Sequence, residues 1–90
     1  MTDIFGDKKT ISFRDLKNAI VDNSSDLALK IGREGREELC DRLYSMLGEY
    51  VSKEEIRNAL NKLGEERSRV SGEEKEKLDR WIRLLEQVTE

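Results

Sequence analysis

Apolar side chains recur every three to four positions from Ser12 to the carboxyl end, and this spacing constrains the fold more than any other feature. A period near 3.6 is typical of an α-helix, whereas a half-buried strand alternates every second residue. None of the 90 residues is a proline, so no helix is interrupted by one. The pattern is cleanest on a stripe of Leu78, Trp81, Ile82, Leu85 and Val88. It predicts an all-α fold.

The stretch 50–64 contains signals for both ends of a helix. Ser52 and Glu55 have the spacing of a capping box, in which each side chain accepts a hydrogen bond from the other residue's backbone N–H. Val51 and Ile56 are placed to form the hydrophobic staple, and Gly64 is placed as a left-handed stop. The charged link 65–69 that follows either separates this helix from the next or extends it with a bend. Similar serine caps begin the other helices. We expect a small bundle of about four helices, near 12–22, 25–47, 52–64 and 71–88.

Residues 1–11 precede the predicted helices and have no helical pattern. They could form a small hairpin that turns near Gly6, or an irregular arm whose Ile4, Phe5 and Ile11 tuck against the helices. We favour the arm, because a lone two-stranded ribbon has marginal stability. A chain of this length supports one modest core. The prediction is therefore a single domain over 1–90, with an arm at 1–11 and a helical core at 12–90.

The charges are numerous but balanced. Charged residues make up 41% of the chain, yet the net charge is only −3. This balance gives no general attraction to nucleic acid or to an anionic membrane. No apolar stretch approaches the ~18 residues of a membrane-spanning helix, so we expect a cytoplasmic protein. Glu, Lys and Arg dominate while Gln occurs once, a composition typical of proteins from thermophiles.

The chain lacks most residues that carry common catalytic chemistry. It has no histidine and one cysteine, Cys40. This excludes an intrachain disulfide, zinc sites of the usual ligand set and Cys–His catalysis. Cys40 lies beside an apolar stripe, where we expect a partly buried, inert thiol. We therefore predict no enzyme activity, and no catalytic residue, cofactor, metal or small-molecule substrate.

The stretch 31–36, Ile-Gly-Arg-Glu-Gly-Arg, is the one segment that looks like a site. It resembles the Gly-x-x-Gly loop of the KH family, which joins two helices and clamps a nucleic-acid backbone. The resemblance covers about a tenth of the chain and implies a phosphate clamp. Glu34 within the loop would repel phosphate, and the three strands of such a domain are not evident in the sequence. The residues of this nucleic-acid hypothesis are Lys30, Gly32, Arg33, Gly35 and Arg36.

The alternative for this stretch is that 25–47 forms one long helix, with or without a break at its glycines. A 4-3-4-4-3-4 spacing then places seven residues on a buried face: Ala28, Gly32, Gly35, Leu39, Leu43, Met46 and Tyr50. Small residues on that face let another helix approach closely. Each interior glycine costs about 1 kcal/mol relative to alanine, so a kink is also consistent with the pattern. We favour packing or a plain turn over a nucleic-acid clamp.

Residues 48–56 resemble the end of an EF-hand loop and its exiting helix. Val51 takes the central hydrophobic position, and Glu55 takes the position of the bidentate glutamate. Upstream, however, Tyr44 and Met46 occupy positions where oxygen ligands belong. Calcium needs about six to eight oxygens, so we predict no calcium site and interpret this segment as a shared helix-capping device.

These observations favour a small, non-catalytic module that binds another protein or itself. Such a module would bind through the surface of its amphipathic helices. Tryptophan is enriched at interface hot spots, so Trp81, Leu85 and Val88 are candidate partner-binding residues. Trp81 could instead be the largest anchor of the core, which is the interpretation we favour. The alternative function is a nucleic-acid-binding module that uses the stretch 30–36.

Overall fold

The structure is a computed structural model that describes residues 4–89, and helices dominate it. In chain order the elements are β1 (Thr10–Ser12), α1 (Phe13–Val21), α2 (Asp26–Met46), β2 (Tyr50–Ser52), α3 (Lys53–Arg69) and α4 (Glu73–Thr89). The predicted all-α bundle of four helices is confirmed. Within residues 4–89, no helix combines the length and the apolar character that crossing a membrane requires.

Helix α4 is the centre of the bundle. It packs against each of the other three helices, so it buries a wider arc than a contact with one neighbour would need. Its buried residues are Leu78, Trp81, Leu84, Leu85 and Val88. The predicted stripe differs from this set at two positions, since Ile82 is half-buried and Leu84 is buried.

The two short strands pair in antiparallel fashion, with Ile11 directly opposite Val51. Both side chains point into the core and are almost fully buried. Each strand leads straight into a helix, α1 or α3, so the ribbon ties the start of one helix to the start of the other. This contact between distant parts of the chain is absent from the sequence-based prediction.

The N-terminal arm packs on the core as predicted. Phe5 and Ile11 are buried, and Ile4 is partly buried against the same cluster. Residues 4–11 do not form a hairpin among themselves, because the strand at their end pairs with β2 instead. Residues 1–3 of the predicted arm lie outside the described residues.

The predicted stop at Gly64 is wrong, because α3 continues through it to Arg69. Gly64 does not have the positive φ of a helix-terminating glycine. Two ion pairs join the last turns of α3 to other helices. Arg67 Nη1 lies 2.7 Å from Asp79 Oδ1 on α4, and Glu66 pairs with Arg42 on α2. These partners come from other helices, and therefore local sequence does not reveal them.

The capping box at the start of α3 forms as predicted. The Glu55 N–H donates to Ser52 Oγ at 3.1 Å, and the Ser52 N–H donates to Glu55 Oε1 at 3.2 Å. Ser52→Ala should lower the free energy of unfolding by about 1 kcal/mol, since an N-cap hydrogen bond is lost. Urea denaturation followed by circular dichroism measures the change. Ser68→Ala, within α3 and far from its N-cap, is the matched control, and equal effects of the two substitutions would contradict the capping role.

Candidate functional site

The candidate partner-binding residues on α4 lie in the core. Trp81 and Leu85 are 0% exposed and Val88 is 6% exposed. A partner cannot reach these side chains while the four helices are packed. Their burial agrees with the core interpretation of Trp81, and a binding surface has to be sought among other residues.

Helix α2 changes direction at Gly32. This residue has φ 82° and ψ 164°, which is not a helical conformation, while helix continues on both sides of it. Such angles are almost confined to glycine. A Cβ added at Gly35 would lie 2.7 Å from Ile31 Cγ2, so the second glycine permits a close approach on the inside of the bend. The two glycines thus form a kink within one helix.

Arg36 spans this kink. Its Nη1 donates to the Ala28 carbonyl oxygen at 2.6 Å, and both residues are buried. In an uninterrupted helix, residues eight apart are separated by about 12 Å along the axis, so the bend is what brings them together. The guanidinium thus ties the segment after the kink to the segment before it.

The residues of the nucleic-acid hypothesis are thus divided among different tasks. Gly32, Gly35 and Arg36 build the kink, and the buried Arg36 is directed inward. Arg33 is exposed, and its Nε lies 3.4 Å from Glu37 Oε1. Lys30 is exposed on the first segment of α2. The structure does not bring these charges together around an open loop.

The segment that resembles an EF-hand uses its glutamate in a helix cap. The Glu55 carboxylate accepts the Ser52 N–H, which directs one of its oxygens toward the backbone. Among residues 4–89, no group of three His, Cys, Asp or Glu side chains has an arrangement suited to a metal ion.

Cys40 is buried on α2, with 1% of its surface exposed. Burial raises the pKa of its thiol from 9.0 to about 11, although the nearby positive charge of Lys17 acts in the opposite direction. Since the thiolate is the reactive form, this thiol is protonated and unreactive at neutral pH.

An open groove of about 590 Å³ lies above Cys40, between α1 and the end of α2. We call it the tyrosine groove. One wall belongs to α1 and the other to α2, β2 and the loop that joins them. The first wall presents Phe13, Arg14 and Lys17, and the second presents Asp41, Tyr44, Glu49 and Tyr50.

Two contacts of Phe13, the first residue of α1, shape the tyrosine groove. The Phe13 N–H donates to the Glu49 carbonyl at 2.7 Å, which extends the β1–β2 ribbon by one bond and fixes the end of the groove. The Phe13 and Tyr44 rings meet edge to face, with centroids 5.1 Å apart. This is a favourable arrangement for aromatic pairs, and it holds the Tyr44 ring at the rim.

Two tyrosines of the groove are unusually exposed. Tyr44 is 59% and Tyr50 is 68% exposed, and Leu29 is the other large apolar side chain exposed to a similar degree within residues 4–89. The prediction that Tyr50 lies on the buried face of α2 is wrong, because the helix ends at Met46 and Tyr50 begins β2. In a strand, side chains alternate between faces, so the burial of Val51 turns Tyr50 outward.

A repeated segment was the sequence signal for this region. Residues 11–20 read ISFRDLKNAI and residues 51–60 read VSKEEIRNAL, so an aliphatic-Ser-x-x-acid pattern occurs twice. Each copy forms a strand, a serine cap and a helix. The repeat therefore indicates that the two segments share one local structure, and the pairing of their strands is seen in the fold. Comparisons of the chain with protein-family models, with curated proteins and with solved structures find no match.

Proposed function

We propose that this protein is a small, non-catalytic module that binds a protein through the tyrosine groove. The observation that carries the proposal is the exposure of Tyr44 and Tyr50 in one groove. Tyrosine is enriched at protein interfaces because it combines a large apolar ring with a hydroxyl that stays hydrated. A partner that covers both rings would bury apolar surface at a modest cost in side-chain entropy.

The chemistry of the groove favours binding over catalysis. The thiol at its floor is Cys40, whose raised pKa keeps it protonated at neutral pH. The charged side chains of the walls are exposed to solvent, whereas catalytic groups usually lie in a water-excluded site. We further propose a cytoplasmic location, and the Glu-, Lys- and Arg-rich composition favours a thermophilic source.

A nucleic-acid role has less support. Arg36 donates to the Ala28 carbonyl, and Arg33 pairs with Glu37. Neither guanidinium is available to a phosphate without the loss of an internal contact. The basic side chains of the groove face two acidic ones, which would oppose a polyanion.

Site-specific photocrosslinking tests the proposal. A photoreactive phenylalanine analogue at position 50 should crosslink to a defined protein in native lysate, whereas the same analogue at position 29 should not. Leu29 is the matched control, because it is exposed to a similar degree but does not line the groove. A Tyr44→Ser substitution should lower the yield at position 50 at least about tenfold, as expected for a hot-spot residue. Equal crosslinking from both positions, or none from position 50, would refute the proposal.

A further inference from the structure

The two walls of the tyrosine groove have opposite charges. Arg14 and Lys17 lie on the α1 wall, and Asp41 and Glu49 lie on the opposite wall. All four are exposed. Within residues 4–89, none of the four takes part in an ion pair. The groove therefore presents a basic edge and an acidic edge whose charges remain available to a partner.

We propose that the partner in the tyrosine groove is a second copy of this chain, in a two-fold symmetric dimer. This inference rests on the proposed function, since it names the occupant of the same groove. A two-fold interface brings the same patch of both copies together, so the patch must be complementary to itself. A patch with one basic edge and one acidic edge meets this requirement.

The charges also select one orientation of the two copies. When the two-fold axis runs along the groove, parallel to its walls, the basic edge of each copy faces the acidic edge of the other. When the axis runs across the groove, like charges face each other and oppose association. In the first orientation, Tyr44 and Tyr50 on the acidic wall of each copy face the basic wall of the other copy, which covers their exposed rings.

Charge reversal tests the dimer. One variant carries Arg14→Glu and Lys17→Glu, and the other carries Asp41→Lys and Glu49→Lys. Because all four positions are exposed, we expect both variants to fold, with circular dichroism as the check. Sedimentation equilibrium should show a wild-type dimer that weakens with added salt, and each variant alone should dimerise at least about tenfold more weakly. An equimolar mixture of the two variants should restore a dimer that contains one copy of each.

The matched control reverses two exposed lysines on other faces, Lys62→Glu and Lys75→Glu. It produces the same change in net charge as the Arg14→Glu and Lys17→Glu variant and should leave dimerisation unchanged. If a double variant fails to fold, the single reversals Lys17→Glu and Asp41→Lys replace it in the same mixing experiment.

The possible outcomes separate this inference from the proposed function. A wild-type monomer up to high micromolar concentration would overturn the dimer. If photocrosslinking from position 50 still captured a different protein, the proposed binding function would stand, with another occupant in the groove. A dimer that forms equally well from either charge-reversed variant alone would place the interface elsewhere and overturn the inference.

Discussion

Trp81→Ala should lower the free energy of unfolding by about 3–5 kcal/mol, the usual cost of truncating a large buried aromatic side chain. Trp81 is 0% exposed on α4, the helix that packs against all three others. Its removal leaves a cavity where these helices meet. This loss is a large part of the total stability of a small domain, which is about 5–15 kcal/mol. The thermal midpoint should therefore fall by more than about 10 °C. Circular dichroism is the appropriate probe, because Trp81 is the chain's one tryptophan.

The Trp81→Phe variant distinguishes packing from other roles of the side chain. Phenylalanine keeps most of the ring volume, and Lys77 Nζ, 4.8 Å from the Trp81 ring centroid, can still lie over it. The indole Nε1 is buried without a hydrogen-bond partner among residues 4–89, so its removal relieves a desolvation cost that partly offsets the lost volume. We expect Trp81→Phe to cost clearly less than Trp81→Ala. Similar losses in the two variants would mean that apolar packing is not the main role of Trp81.

The helices could be predicted because their signals are local. The apolar period of α4 and the serine caps of α1 and α3 each depend on residues within a few positions of one another. The paired strands depend on a contact between Ile11 and Val51, which no local pattern encodes. The similarity of 11–20 and 51–60 indicates the same local structure in both segments, but it does not indicate that they pair.

The candidate site was harder to predict than the fold, for a related reason. Tyr50 follows the apolar spacing of α2, and in sequence it is indistinguishable from a core residue. Its exposure results from the end of the helix at Met46 and from the burial of Val51 in the ribbon. Arg36 differs from its prediction in the opposite direction. The sequence suggests that its charge binds an external ligand, but the side chain is buried and donates to the Ala28 carbonyl within its own helix.

Glycine substitutions at two helical positions should have effects of opposite sign. Gly32→Ala should lower the free energy of unfolding by about 1–3 kcal/mol, because alanine disfavours the angles φ 82° and ψ 164°. An added Cβ would contact nothing within 4 Å, so the cost lies in the backbone and not in a clash. If the backbone relaxes toward a straight helix, Arg36 loses the Ala28 carbonyl, and a buried guanidinium is left without that bond.

Gly64→Ala is the matched control for this prediction. Gly64 lies within α3 without a positive φ, and a Cβ there also contacts nothing within 4 Å. Alanine should therefore raise the free energy of unfolding by up to about 1 kcal/mol, since it favours the helix and restricts the unfolded chain. Urea denaturation of both variants beside the wild type measures the difference. Stabilisation by both substitutions would mean that α2 runs straight through position 32, and destabilisation by Gly64→Ala would mean that α3 ends near that glycine.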